Sequence, residues 1–445
     1  MINIESNFAK YLDVVKFSNP ICIYGKVIEV IGLLIESTGP ASSIGDICLI
    51  QKNGNTIGRA EVVGFRKGRT LLMSLGPIEG IHPGLTVVGT RQPLKIGVGK
   101  ELISRVIDGL GNPIDNRGTV KSDFERSIFS SIPNPLQRKR ITEPFETGVR
   151  AIDTMITIGK GQRIGIFAGS GVGKSVLMGM MARNCRSDVN VIALIGERGR
   201  EVREFIERDL GEEGLARSVV VVATSDQPAL IRIKGAMVAV SIAEYFRDLG
   251  KDVLFMVDSV TRLAMAQREI GLAVGEPPAT KGFPPSVFSI LPQFLERAGT
   301  SDKGTITGLF TVLVEGDDMD EPIADAARSI LDGHIVLSRK LAHKNHFPAI
   351  DVLESISRCM GDVVSAEHVN IAGSVKDYMA AYRENEDLIQ IGAYASGSNE
   401  RVDKAIKLHS SLEKFLRQKR DEGSRIDESL GKLKEIARAA GVIEK

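Results

Sequence analysis

Residues 168–175 read Ala-Gly-Ser-Gly-Val-Gly-Lys-Ser, between the apolar run RIGIF (163–167) and the helix-forming stretch VLMGMMAR (176–183). A strand, a glycine-rich loop and a helix in that order make a phosphate cradle. Glycines at 169, 171 and 173 let the backbone curl so that successive N–H groups point inward at phosphate oxygens. The helix N-terminus adds its partial positive charge. The usual pattern is G-x-x-x-x-G-K-[S/T], and Ala168 stands in its first position. Lys174 is then placed to reach the β- and γ-phosphates, and the Ser175 hydroxyl to ligate Mg²⁺. The predicted nucleotide contacts are Ala168, Gly169, Ser170, Gly171, Val172, Gly173, Lys174, Ser175 and Val176.

Outward from this loop, VIALI, VVVVA, VLFMV, ITGLFTVLV and HIVLS are apolar runs of strand length separated by helical stretches. Continuous apolar strands alternating with helices predict a parallel sheet buried on both faces. Asp258 closes VLFMV, at the carboxyl end of a strand, where open α/β sheets bind ligands. A carboxylate there suits the Mg²⁺ water shell. Gly196-Glu197-Arg198-Gly199-Arg200-Glu201 follows VIALI. Phosphoryl transfer to water needs a carboxylate that orients the nucleophile, while cations carry the developing charge. Glu197 lies nearest the strand end and is the first candidate, with Glu201 next; Arg198 is a candidate cation.

Residues 21–99 read differently. Short β-rich runs such as GDICLI, AEVVGF and TLLMSL are separated by Gly, Pro and the hairpin signal KNGNT. Evenly spaced short strands predict a small closed barrel. Residues 112–146, punctuated by Pro113, Pro133, Pro135 and Pro144, read as an extended connection wrapped on the next domain. From about Asp351 the chain reads as helical, with Ile426, Leu430, Leu433 and Ile436 at helical spacing. Ile4, Phe8, Leu12 and Val15 also have helical spacing. They predict a short amphipathic helix, packed on its own domain or docked on a partner. The expected division is a docking helix at 1–20, a barrel at 21–99, an ATPase domain at 100–350 and a helical domain at 351–445.

Composition excludes several alternatives. The 445 residues are 43% hydrophobic and 25% charged, with a formal net charge of +1. These are globular values, and bulk charge makes no case for nucleic acid or an anionic membrane. Trp is absent and aromatics are 5%, which leaves little for base stacking on single strands. Cys22, Cys48, Cys185 and Cys359 lack metal-ligand or disulfide spacing and read as reduced thiols. No apolar run approaches membrane-spanning length, and the first residues do not form a signal peptide.

Longer stretches carry a resemblance. These are AGSGVGKS, LIGERGREVREFIERDLG, VVVVATSDQPALIRIKG, DSVTRLAMAQREIGLAVGEPPATKGFPPSVF, GDDMDEPIADAARSILDGHIVLSRKLA and FPAIDVLESISR. With them the chain resembles the RecA-like rotary-type ATPases, and among these the type III export ATPases of the flagellum and related secretion systems. The resemblance implies an α/β fold: a central RecA-like parallel-sheet ATPase domain, an N-terminal β-barrel and a C-terminal helical domain. It implies an ATP hydrolase with Mg²⁺ that energises protein export, flagellar first and virulence-type as the alternative. A proton-translocating ATP synthase β subunit fits less well, since the acidic DELSEED run is missing. An RNA-translocating hexameric helicase would want aromatics and basic residues that 21–99 do not supply. By resemblance Phe347 stacks on adenine, in a place where Tyr is frequent. Arg358 matches an arginine finger given to a neighbouring subunit. The implied partners are five further copies in a homohexamer, a stator-like subunit at the N-terminus, a central stalk, chaperone–cargo complexes and the membrane export gate, without nucleic acid. The implied location is cytoplasmic, peripheral to the inner face of the membrane.

Overall fold

The computed structural model describes residues 24–443 except 131, 315 and 317. The predicted docking helix at 1–20 and Cys22 therefore lie outside the described residues. The chain divides into two compact units between Leu94 and Lys95.

The first unit is a closed antiparallel barrel. Its strands are β1 (Tyr24–Ile31), β2 (Leu34–Ser37), β3 (Asp46–Lys52), β4 (Asn55–Arg66), β5 (Arg69–Ser74) and β6 (Thr86–Pro93). They follow the order β1-β2-β5-β4-β3-β6, with β6 pairing back onto β1. KNGNT makes the β3–β4 turn: Lys52 pairs with Asn55, and Asn53 and Gly54 have φ of 50° and 83°. Positive φ at both central residues is what a two-residue hairpin of this hand requires, and Asn-Gly tolerates it. Val27, Ile35, Ile50, Val62, Leu72 and Val87 fill the interior.

The second unit is built on a nine-stranded sheet. From one edge the order is Ile350–Ser357, Gly333–Leu337, Arg163–Ala168, Thr305–Leu313, Asp252–Asp258, Val189–Ile195, Ser218–Ala223 and Val106–Asp108. Gly299–Thr300 adds a short antiparallel pairing on Thr305–Leu313. Every residue of Val189–Ile195 and Ser218–Ala223 is buried, as a strand covered on both faces must be. The apolar runs quoted above are all strands of this sheet.

Residues 112–146 lie extended on this unit. Phe124–Ser127 pairs antiparallel with Lys95–Val98. Arg126 reaches Asp248 at 2.9 Å and Glu244 at 3.2 Å on the buried helix Ala229–Asp248. Arg297 fixes the same segment by donating to Ile128 O at 2.8 Å while pairing with buried Glu244.

One expectation is corrected. The chain does not turn helical at Asp351: Ile350–Ser357 is the edge strand, antiparallel to Gly333–Leu337. Ile350 and Val352 are buried in it, and the acid between them, Asp351, is buried against Arg383 at 2.7 Å. That partner comes from the following helix, so nothing adjacent in sequence announces it. The helices are Ala366–Gln390, Glu400–Leu416 and Ile426–Ala439. Ser365 and Asn399 cap the first two by accepting from backbone N–H groups. The last turns Ile426, Leu433 and Ala437 inward, with Leu430 and Ile436 half-buried. His368 ties the bundle to the sheet unit through Thr154 O at 2.8 Å. Cys48, Cys185 and Cys359 are free thiols, each made a weaker acid by burial.

Candidate nucleotide site

The loop after Arg163–Ala168 turns with φ of 79° at Gly171 and 92° at Gly173, then enters the helix Lys174–Asn184. Those two positions need glycine for backbone reasons alone. A Cβ on Gly173 would also stand 3.5 Å from the Phe347 ring. Thus the loop and the aromatic predicted for adenine are neighbours.

Three charged side chains converge at the loop mouth. Asp258 ends its strand 3% exposed, and Glu197 is 7% exposed just beyond Val189–Ile195. Lys174 Nζ lies 2.5 Å from Asp258 Oδ1 and 3.8 Å from Glu197 Oε1. One ammonium therefore serves two buried carboxylates. Among the described residues Glu197 Oε1 has no hydrogen-bond partner. Burial first, and then the Asp258 charge, raise the Glu197 carboxyl above its ordinary range; Lys174 opposes them without prevailing.

Two neighbouring buried carboxylates suit a divalent cation. Among the described residues no three His, Cys, Asp or Glu side chains are grouped to cage a metal. Mg²⁺ does not require a cage, since it binds through one or two carboxylates, waters and substrate phosphates. Asp258 and the half-buried Ser175 in the first helical turn supply suitable oxygens.

Two cavities meet here. One of about 650 Å³ is lined by the loop from Ala168 to Gly171 and from Gly173 to Val176, by Glu197, Arg198 and Glu201, and by Arg262, while the predicted contact Val172 is buried beneath it. The other, of about 700 Å³, lies between Gly173, Val176, Phe347 and the segment Arg417–Glu422. The first has the polar lining phosphates need and the second has an aromatic face for a base. Arg198 is exposed on the first cavity's rim, 3.5 Å from Glu201. Arg358 lines neither cavity. It is exposed just past the edge strand, its backbone N–H donating to Asp332 O.

Sequence reasoning missed several contributors. Arg262 donates to Gly196 O at 2.6 Å and lines the phosphate cavity. Gly196 has φ of 72°, and a Cβ there would meet Arg262 Cβ at 2.9 Å. The signal was available: Arg262 lies one helical turn after Asp258. Thr311 Oγ1 approaches Asp258 Oδ1 at 2.8 Å, which only the strand register reveals. Arg150 binds Phe415 O at 2.9 Å and Arg417 O at 2.6 Å, holding the far wall of the base cavity. Gln418 bridges to Gly148 O and the Arg150 N–H.

A phosphate loop at the carboxyl ends of a parallel sheet, facing two strand-end carboxylates, defines a nucleotide-binding domain of the RecA-like class. Comparison with known proteins agrees over most of the chain. Residues 148–357 match the nucleotide-binding domain of the ATP synthase alpha/beta family, and residues 27–91 match its beta-barrel domain. Residues 364–435 match the T3SS EscN ATPase C-terminal domain. The flagellum-specific ATP synthase of Bacillus subtilis (strain 168) is 56% identical over 95% of this chain and 97% of its own length. The assembled ATPase EscN of the enteropathogenic E. coli type III secretion system superposes with a TM-score of 0.88 at 47% identity, covering 93% of this chain and 99% of EscN. EscN in complex with its central stalk EscO gives 0.86 at 46% identity, with the same coverage. The chain belongs to the ATP synthase alpha/beta family.

Proposed function

We propose that the chain hydrolyses Mg²⁺·ATP to energise type III protein export, in the flagellar apparatus first. The observation that carries the chemistry is the convergence of Lys174, Glu197 and Asp258 at the loop mouth. In this reading Lys174 binds the β- and γ-phosphates and Phe347 stacks on the base. Asp258 and Ser175 hold the metal, and Glu197 orients the attacking water. Mg²⁺ held by Asp258 and Ser175 would supply positive charge against that developing on the phosphoryl group. Arg198 and the neighbouring copy's Arg358 add cationic stabilisation. An exposed Arg358 that lines neither of the two cavities supports supply in trans. The flagellar assignment rests on the identity to the Bacillus subtilis protein. The likeness to EscN favours a virulence-type system as the second reading.

The family likeness, and EscN with its stalk, support a homohexameric ring around a central stalk. We further read residues 2–16 as docking a stator-like subunit, and the C-terminal helices as facing the export gate and chaperone–cargo complexes. Among the described residues no helix is long and apolar enough to cross a membrane. That is compatible with cytoplasmic chains gathered at the membrane's inner face through partners. Lys174→Ala tests the core of the reading. It should weaken ATP binding and abolish Mg²⁺-dependent phosphate release; release at the wild-type rate would refute the assignment.

A further inference from the structure

Thr305–Leu313 runs parallel to Asp252–Asp258 with Phe310 opposite Val257. That register delivers Thr311, fully buried, to the level of Asp258. Its Oγ1 lies 2.8 Å from Asp258 Oδ1 and 3.1 Å from Val257 O. A hydroxyl has one proton to donate, and the carboxylate is the stronger acceptor. Lys174 Nζ contacts the same oxygen, Oδ1. Both contacts that Asp258 makes with these side chains thus fall on Oδ1.

The two groups that hold Oδ1 differ in kind. Lys174 is a flexible chain on the phosphate loop, and a bound nucleotide competes for its ammonium. Thr311 is β-branched, stiff at χ1 and set in a buried strand. The strand is also tied to the helix Val260–Val274 that follows Asp258, where Leu313 N–H donates to Thr261 Oγ1 at 2.9 Å. Once the lysine turns to phosphate, the Thr311 hydroxyl is the constraint that stays.

We propose that Thr311 is a positioning residue for the metal acid: its hydroxyl pins Oδ1 of Asp258 and so presents Oδ2 to the Mg²⁺ water shell. The inference rests on the reading that Asp258 serves a Mg²⁺·ATP site. Partners that orient metal-binding groups typically cost about 10–100-fold in metal affinity or activity when removed.

Thr311→Val keeps the branched shape and deletes the hydroxyl, whereas Thr311→Ser keeps the hydroxyl. ATP turnover is measured against free Mg²⁺, and ADP binding is measured by calorimetry with and without Mg²⁺. Thr311→Val should raise the half-saturating Mg²⁺ about 10–100-fold and weaken Mg²⁺·ADP, while metal-free ADP binds as in the wild type. Thr311→Ser should restore the wild-type Mg²⁺ response. Should Thr311→Val fail to fold, Thr311→Ala replaces it as the variant without a hydroxyl. A wild-type Mg²⁺ response without the hydroxyl overturns the proposal. So does equal damage in Thr311→Ser, or equal loss of metal-free ADP, since either would mark a packing role. Absence of Mg²⁺-dependent turnover in the wild type would instead remove the functional reading beneath it.

Discussion

Glu197→Gln should separate stability from activity. Glu197 is only 7% exposed, one of its oxygens has no hydrogen-bond partner among the described residues, and it shares Lys174 with Asp258. Attraction to Lys174 at 3.8 Å is worth about 4 kcal/mol at an effective dielectric near 20. Lys174 is closer to Asp258, however, and burial costs each ion several kcal/mol. The raised carboxyl, from 4.5 to about 7, shows which side wins. The folded state then keeps a proton that the unfolded chain has lost between those values. Stability must therefore fall as pH rises from about 4.5 through the folded-state value, and the cost is in full force above it. A glutamine amide has no charge to bury, and its nitrogen can donate to the carboxylates beside it. We expect Glu197→Gln to be more stable than the wild type by about 1–3 kcal/mol above neutral pH. That corresponds to a few degrees in Tm. The advantage should shrink toward about pH 5 as the wild-type carboxyl protonates. Thermal melts without nucleotide, run across this range, measure it directly. The same variant should bind ATP and lose about 10²–10⁴-fold in turnover. A variant less stable than wild type at alkaline pH, or a difference independent of pH, would refute the reasoning.

The trans role of Arg358 predicts that Arg358→Ala and Lys174→Ala chains, each inactive alone, regain turnover when mixed, because one interface type then joins an intact loop to an intact finger. Specific activity of the wild type should likewise rise with protein concentration, and no rescue together with concentration-independent activity would count against it; such fingers contribute roughly 10³–10⁵ in kcat. Deleting residues 2–16 should leave Mg²⁺-dependent ATP hydrolysis in place and abolish co-purification with the stator-like subunit, and unchanged co-purification would remove the docking assignment.

What could be read from sequence follows from how local each feature is. The phosphate loop is a contiguous octapeptide whose glycines have a backbone reason, so its geometry was legible in full. Asp258 and Glu197 were legible because apolar runs end at or just before them, and strand ends in a parallel sheet face one way. Thr311 was not, because its contact with Asp258 depends on register between strands 53 positions apart. The wall of the base cavity was less accessible still, since Arg150 and Gln418 meet across 268 positions. Ile350–Ser357 misled because an edge strand beside a helical bundle carries Asp351, whose neutralising Arg383 lies on that bundle. Local pattern reports local structure; long-range pairing decides the rest.

The placement of that far wall has a consequence for synthesis. Arg150 and Gln418 hold the segment Arg417–Glu422 over Phe347, so the base cavity closes only when Gln418 meets Gly148, a residue 270 positions earlier. A nascent chain carries a finished phosphate loop long before it carries a finished nucleotide pocket. At translation speeds of about 5–20 residues per second, the interval between Lys174 and Glu422 is roughly 12–50 s. Throughout it the emerging polypeptide has the phosphate loop but not the Arg417–Glu422 wall of the base cavity. A ligand that binds the finished pocket more tightly than the bare loop shifts the folding balance toward chains that have added that wall.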